Sequence, residues 1–246
     1  MLRHGCDTVG RFLFCRGAAG RGALRSDGKK GGDEGSTTDA NLLKKVLNAG
    51  SGPPSARGVH RAFQSADWRE IRLDINPEFK PDIVGTVTDL SEAVAPQSLD
   101  AVWASHSLEH LHPHEAPLAL AEFRRILKAD GFALITSPDL ETIATLVIEH
   151  GPDHVAYEAR VGPITAHDML YGHAGSIQRG MSQMAHHSGF TCASLARLLL
   201  AAGFPIVLAK RLGFDLWALA LMEDSDKTAI QAQLLTAGLD MFDHND

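Results

Sequence analysis

The sequence predicts an α/β domain built on an open, doubly wound sheet, mostly parallel, that ends in an antiparallel β-hairpin. Three observations carry this prediction. Short, near-continuous apolar runs alternate with a helical stripe, the pattern of strands covered on both faces. Polar or glycine-rich residues follow those runs directly, where open α/β sheets place their ligands. The last two apolar runs, 206–210 and 215–221, are joined only by residues 211–214, too few for a crossover, so they pair antiparallel.

Taken in order, residues 44–49 form a first strand that stops at Gly50, and residues 70–74 a second that ends on Asp74. Residues 98–104 form a third. Within 117–127, Leu118, Ala121, Phe123, Ile126 and Leu127 lie along one helical stripe. Asp130-Gly131 then turns the chain into the apolar strand 132–136. After Pro138 the alternation lapses until Thr191, a helix N-cap followed by the stripe Leu195, Leu198, Leu199 and Ala202, with Gly203 placed to stop the helix. Residues 226–246 form a tail, part helical, with a frayed acidic end. The domain thus spans 41–225, with an insertion over 138–190.

Residues 1–40 stand apart. They hold nine of the 23 glycines and have no periodic apolar pattern, so they are read as a disordered segment outside the fold. Their arginines can equally belong to a targeting segment or to a start codon assigned too early.

Composition excludes several classes. With 44% hydrophobic residues among 246, there is ample material for a core, so disorder throughout is excluded. No apolar run reaches the roughly 18–20 residues a membrane helix needs, so a membrane partner is not expected. A net charge of -7, with Lys44, Lys45, Arg57 and Arg61 scattered rather than patched, argues against a nucleic-acid partner. The three cysteines, Cys6, Cys15 and Cys192, match no disulfide framework or metal-ligand spacing, which suits the reducing cytoplasm.

Four motifs stand at the ends of strands. In Asn48-Ala49-Gly50-Ser51-Gly52, two glycines let backbone approach a ligand closely, while Pro53-Pro54 departs from a dinucleotide fingerprint. Asp74, 22 residues beyond Gly52, can accept from both hydroxyls of a ribose, or can simply shape the turn before Asn76-Pro77. Asp89 of Thr88-Asp89-Leu90 can accept from an exocyclic amine with Leu90 packed on the ring, or can cap a short helix. His106, Glu109 and His110 are spaced i, i+3, i+4, so one helical turn would cluster them as metal ligands or as helix-start caps. No metal is expected on balance. Ten of the 13 histidines fall between His106 and His187, as either polar loops around a core or a site built in that part of the chain would give.

The order of these motifs, with Leu99-Asp100-Ala101-Val102-Trp103, Ser107-Leu108-Glu109-His110-Leu111, Glu122-Phe123-Arg124-Arg125-Ile126-Leu127-Lys128 and Gly131-Phe132-Ala133-Leu134, resembles the class I S-adenosylmethionine-dependent methyltransferases of the broad type 11 group. The resemblance covers about 42–138 and 191–222. It implies a Rossmann-like sheet of seven strands, S-adenosylmethionine as cofactor, and methyl transfer to a small-molecule or side-chain acceptor. It implies that Asn48, Ala49, Gly50, Ser51 and Gly52 line the methionine part of the cofactor, that Asp74 holds the ribose, that Asp89 and Leu90 frame the adenine, and that Ser105 and His106 lie near the sulfonium.

Since the cofactor carries an activated methyl group, the protein's task is to align nucleophile, methyl and sulfur. A base is needed only if the acceptor arrives protonated. Candidates are His106, Tyr171, His173 and the adjacent His186-His187, of which only one of the pair can face the site; His187 is the expected one. The insertion serves either as a source of such a base or as a lid. Asn48 stands where the family usually has an acid, and Pro54 where it often has a third glycine. These departures support an alternative, a catalytically inactive binding or regulatory module. A nicotinamide-linked oxidoreductase is disfavoured by the proline pair and the terminal hairpin.

Overall fold

The computed structural model describes residues 13–16, 43–54 and 58–242. Its strands are β1 (Leu13–Arg16), β2 (Lys44–Ala49), β3 (Trp68–Asp74), β4 (Ile83–Val84), β5 (Leu99–Ser105), β6 (Leu127–Pro138), β7 (Val155–Ala159), β8 (Gly162–Thr165), β9 (Ile206–Leu212) and β10 (Asp215–Leu221). The α-helices are α1 (Ala116–Ile126), α2 (Leu140–His150), α3 (Ala166–Tyr171), α4 (Ala174–Gln178), α5 (Cys192–Ala201) and α6 (Lys227–Thr236).

Eight strands form one sheet in the order β4-β3-β2-β5-β6-β10-β9-β1. Strands β2 to β6 run parallel, and β10 pairs antiparallel with both β6 and β9. The expected seven-stranded, mostly parallel sheet with its terminal hairpin is therefore present in β2–β6, β9 and β10. β1 adds an eighth strand, antiparallel to β9. Its four residues belong to the stretch 1–40 read as disordered from sequence; the remainder of that stretch lies outside the described residues.

Period-2 alternation sends side chains to two cores. Leu47, Ala49, Val102, Ala104, Ala133, Ile135, Ala218 and Ala220 face one side, where α1 and α5 cover them. α1 presents Ala119, Leu120, Phe123 and Ile126, and α5 presents Leu195, Ala196 and Leu199, all without exposure. Thr191 caps α5 as expected: its Oγ1 accepts from Ser194 N and Ser194 Oγ from Thr191 N. Gly203, at φ 99°, follows the helix.

Val46, Ala101, Trp103, Phe132, Leu134, Leu208, Leu219 and Leu221 face the other side. No α-helix follows β2 there among the described residues; a single 3-10 turn, Arg61–Phe63, inserts Ala62 and Phe63. The gap is filled by α6, whose Ile230 and Leu234 pack into the same core with Leu239 and Met241. Gln233 ties the two pieces by donating from Nε2 to Ala62 O at 2.9 Å.

The turn read at Asp130-Gly131 takes the form of a register irregularity: Leu99 pairs with Leu127, but Ala101 with Phe132, so the intervening residues of β6 loop out. The insertion is more regular than its sequence. α2, the hairpin β7-β8 and α3 form a satellite core around Ile143, Ile164 and Met169, with Phe214 packed against it. Among the described residues no helix is long and apolar enough to cross a membrane.

Leu234 and Leu235 are neighbours on α6, the first fully buried and the second 46% exposed. Leu234→Ala is expected to cost about 2–5 kcal/mol and Leu235→Ala less than about 0.5 kcal/mol, measured by urea unfolding. Equal small effects would show that α6 does not cover the sheet.

Candidate active site

The chain leaves β2 for β3 and β4 on one side, then crosses back to β5 on the other. The crevice beyond the carboxyl ends of β2 and β5 is thus the topological switch point, where open α/β sheets bind ligands. A cavity of about 580 Å³ lies there. Asn48, Gly50, Ser51 and Gly52 reach it from β2, Trp103, Ser105 and His106 from β5, and Asp215 from the hairpin. Asp168, His173 and His186 reach it from the insertion.

The glycine loop is held from several sides. Gly50 N and Ser51 N donate to Leu73 O. Gly52 N donates to Asp74 Oδ2 at 2.8 Å, and Asp74 Oδ1 accepts from Asn76 N at 2.9 Å. Arg72 Nη2 donates to Gly52 O at 2.6 Å. Gly50 and Gly52 adopt φ of 74° and 63°. A Cβ at Gly50 would stand 2.8 Å from Ser107 Cβ, so both conformation and space demand glycine. Ser51 Oγ is buried and has no hydrogen-bond partner, an orphaned donor at the cavity wall. Asn48, nearly buried, donates from Nδ2 to Glu70 Oε1 at 2.6 Å, so a carboxylate from the neighbouring strand stands beside it.

Beyond β5 the backbone turns sharply at His106, whose φ is 49°. This aims the imidazole between two carboxylates: Nδ1 is 3.2 Å from Glu109 Oε1 and Nε2 is 3.6 Å from Asp215 Oδ2. Burial by itself pushes the imidazole pKa down. The contacts with Asp215 and Glu109 outweigh it and raise the value to about 10, so His106 is an imidazolium at neutral pH. Glu109 is 1% exposed. Burial pushes its carboxyl up, but His106 holds it below the usual carboxylate range, and Ser137 Oγ donates to its Oε2 at 3.1 Å. Two anions against one cation leave this wall net negative.

The sequence-named residues divide. Asn48, Gly50, Ser51, Gly52, Ser105, His106 and His173 line the cavity. Ala49 is buried in the core behind the loop, and Asp74 sits one layer back, holding Gly52. Leu90 is a core residue and donates from its N to Glu122 Oε2. Asp89 is exposed and accepts from Ser91 N and Ser91 Oγ, which makes a local turn rather than a helix cap. The Ser91 contacts also depress its carboxyl pKa. Tyr171 is 59% exposed against His167, and His187 is exposed and stacked on His112. None of Ala49, Asp74, Asp89, Leu90, Tyr171 and His187 lines the cavity. Of the adjacent pair it is His186 that faces inward, not His187. Sequence reasoning also missed Asp215 and Arg72. Each acts through a strand pairing that no local pattern announces.

Residues 47–135 match the family model described as a methyltransferase domain. No curated protein matches. Among solved structures the chain is similar to the 1,6-didemethyltoxoflavin-N1-methyltransferase of Burkholderia thailandensis, seen with 1,6-didemethyltoxoflavin and S-adenosylhomocysteine bound. The identity is 20% over 74% of this chain and 72% of that one, with a TM-score of 0.46. It is also similar to a SAM-dependent methyltransferase from Archaeoglobus fulgidus, 15% identical over 73% of this chain and 86% of that one, TM-score 0.49.

Gly50→Ala is expected to lower stability by about 1–3 kcal/mol, from the left-handed φ and the clash with Ser107. Adding Ser107→Gly should restore part of the loss in thermal unfolding, whereas no recovery would place the cost in the φ alone. The glycine loop at the switch-point crevice thus falls inside the segment that matches the methyltransferase-domain model.

Proposed function

We propose that the protein catalyses S-adenosylmethionine-dependent methylation of a small molecule or an amino-acid side chain, in the cytoplasm. The observation that carries this reading is the loop 48–52 at the wall of the switch-point cavity, inside the segment that matches the family model. The residues present suit the cofactor. Ser51 Oγ is an unpartnered buried hydroxyl, and the glycines expose backbone where a ligand must approach closely. The net negative wall of Glu109, His106 and Asp215 favours a sulfonium cation over a neutral ligand.

The cofactor supplies an activated methyl group when bound. The chain's own residues orient and enclose. Asn48 and the Glu70 carboxylate it binds stand in for the acid that the family resemblance leads one to expect at position 48, which supports retained binding of a cationic amino group. Asp74 acts chiefly by fixing Gly52. Both its oxygens already accept a backbone N–H, and their remaining lone pairs are what a ribose would use. His106 as an imidazolium has no lone pair to accept a proton, so its role is to donate hydrogen bonds and balance charge. With His106 charged, His173 and His186 are the candidate bases that line the cavity, and His173 Nδ1 lies 2.8 Å from Ser176 Oγ. A small acceptor suits a cavity of this size, which Asp168 and Met169 of α3, His173, Met184 and His186 border.

Calorimetry on the full chain tests this. S-adenosylhomocysteine is expected to bind in the micromolar range and NAD not at all. Asp74→Ala should weaken the first at least about tenfold, the effect of about 1.4 kcal/mol. Absence of S-adenosylhomocysteine binding would overturn the reading. Binding without turnover across an acceptor panel would favour the inactive module.

A further inference from the structure

We propose that Glu109, His110 and His186 form a binding site for one divalent transition-metal ion of the zinc class, bridging the end of β5 to the insertion. One ligand atom from each lies within 4.8 Å of the others. Around a tetrahedral ion with bonds of about 2.0–2.2 Å, ligand atoms stand about 3.3–3.6 Å apart. The cluster therefore closes on an ion by small side-chain rotations. Two imidazoles and one carboxylate are a donor set that transition ions take with positions left open.

A second observation is independent of that proximity. His110 Nδ1 is 3.0 Å from Ala185 O, and His186 Nδ1 is 3.0 Å from Met169 O. A carbonyl only accepts, so each Nδ1 carries the hydrogen, and in the neutral ring each Nε2 presents a lone pair. Backbone carbonyls holding the far nitrogen of both rings are the outer-layer arrangement that orients metal-ligating histidines. The third ligand is a buried carboxylate whose Oε2 accepts from Ser137 and whose Oε1 has His106 at 3.2 Å, each oxygen keeping a further lone pair. All three residues line the cavity, so an open coordination position faces it and would take an oxygen or nitrogen donor.

The site also has a structural logic. His187 N and Ser188 N donate to Glu109 O, and His186 N to Tyr171 O, so segment 185–188 is already laid over β5's end. A Cβ at Gly172 would collide with Met184 O, which keeps this strap close against α3. An ion shared between Glu109, His110 and His186 would lock that strap in place. The inference stands independently of methyl transfer.

The test uses the full chain, stripped with chelator and titrated with Zn²⁺ by calorimetry and with Co²⁺ by visible absorption. One equivalent is expected to bind, with a ligand-field spectrum of low coordination number and a rise in Tm. His110→Gln and His186→Gln should each weaken binding at least about tenfold, the scale for loss of even an outer-layer partner. His187→Gln, in the exposed stack with His112, should leave it unchanged. Comparable metal-free Tm values would show that the variants fold. No saturable binding, binding untouched by His110→Gln and His186→Gln, or binding lost only with His187→Gln would each overturn the proposal. S-adenosylhomocysteine titrated alongside separates the two readings: a chain that takes the metal but not the nucleoside overturns methyl transfer and leaves this site standing.

Discussion

A carboxylate placed where water does not reach must be matched by charge and hydrogen bonds, or it would not stay ionised. Glu109 is that carboxylate, and much of the molecule around the crevice is arranged to meet its demand. His106 adopts a left-handed backbone conformation that non-glycine residues seldom take, and its ring lands between Glu109 and Asp215. Ser137, from the middle of the sheet, supplies a hydroxyl. The insertion supplies two backbone N–H groups to the carbonyl of the same residue. The strand end, the hairpin and the insertion are thus joined through one side chain and its backbone, and the cavity is the space they enclose.

The glycine loop shows the same economy. Its conformation does not rest on glycine freedom alone: Asp74 and Arg72, on β3, hold the N–H and the carbonyl of Gly52. Because β3 is in register with β2, the two residues that shape the loop are fixed by the sheet itself. On the other face, the short 3-10 turn after β2 leaves apolar surface that α6 covers, so an element far along the chain is integral to the first strand's packing.

How much of this was legible follows the range of the forces involved. The buried strands were legible because their apolar runs are local, and α5 because Thr191, its stripe and Gly203 lie in one window. α2 was not. Only Ile143 is deeply buried, and Ile148, 85% exposed, blurs the periodicity. At the cavity wall, Asn48, Gly50, Ser51, Gly52, Ser105 and His106 were legible as lining residues since they end or directly follow strands. Asp89 and Leu90 were read as framing a ligand; the first accepts from Ser91 in a local turn and the second packs in the core, a difference that an Asp-Leu pair does not announce. The inward turn of His186 rather than His187 depends on where the strap crosses Glu109, and Asp215 reaches His106 only through hairpin register. Neither is a property of neighbouring residues.

The antiparallel pairing of β10 with β6 carries a kinetic consequence. Thr136 Oγ1 donates to Leu216 O across 80 residues of chain. Closing so long a loop costs entropy before any contact returns it, and non-local pairings of this kind slow folding. The parallel strands β2 to β6 can assemble first, but until β10 arrives β6 is an unpaired hydrophobic edge of the sort that recruits other chains. β10 also brings Asp215. A nascent chain therefore lacks one of the two carboxylates that hold His106 during the interval in which it is most open to misassociation, and the site is finished in the same step that seals the sheet.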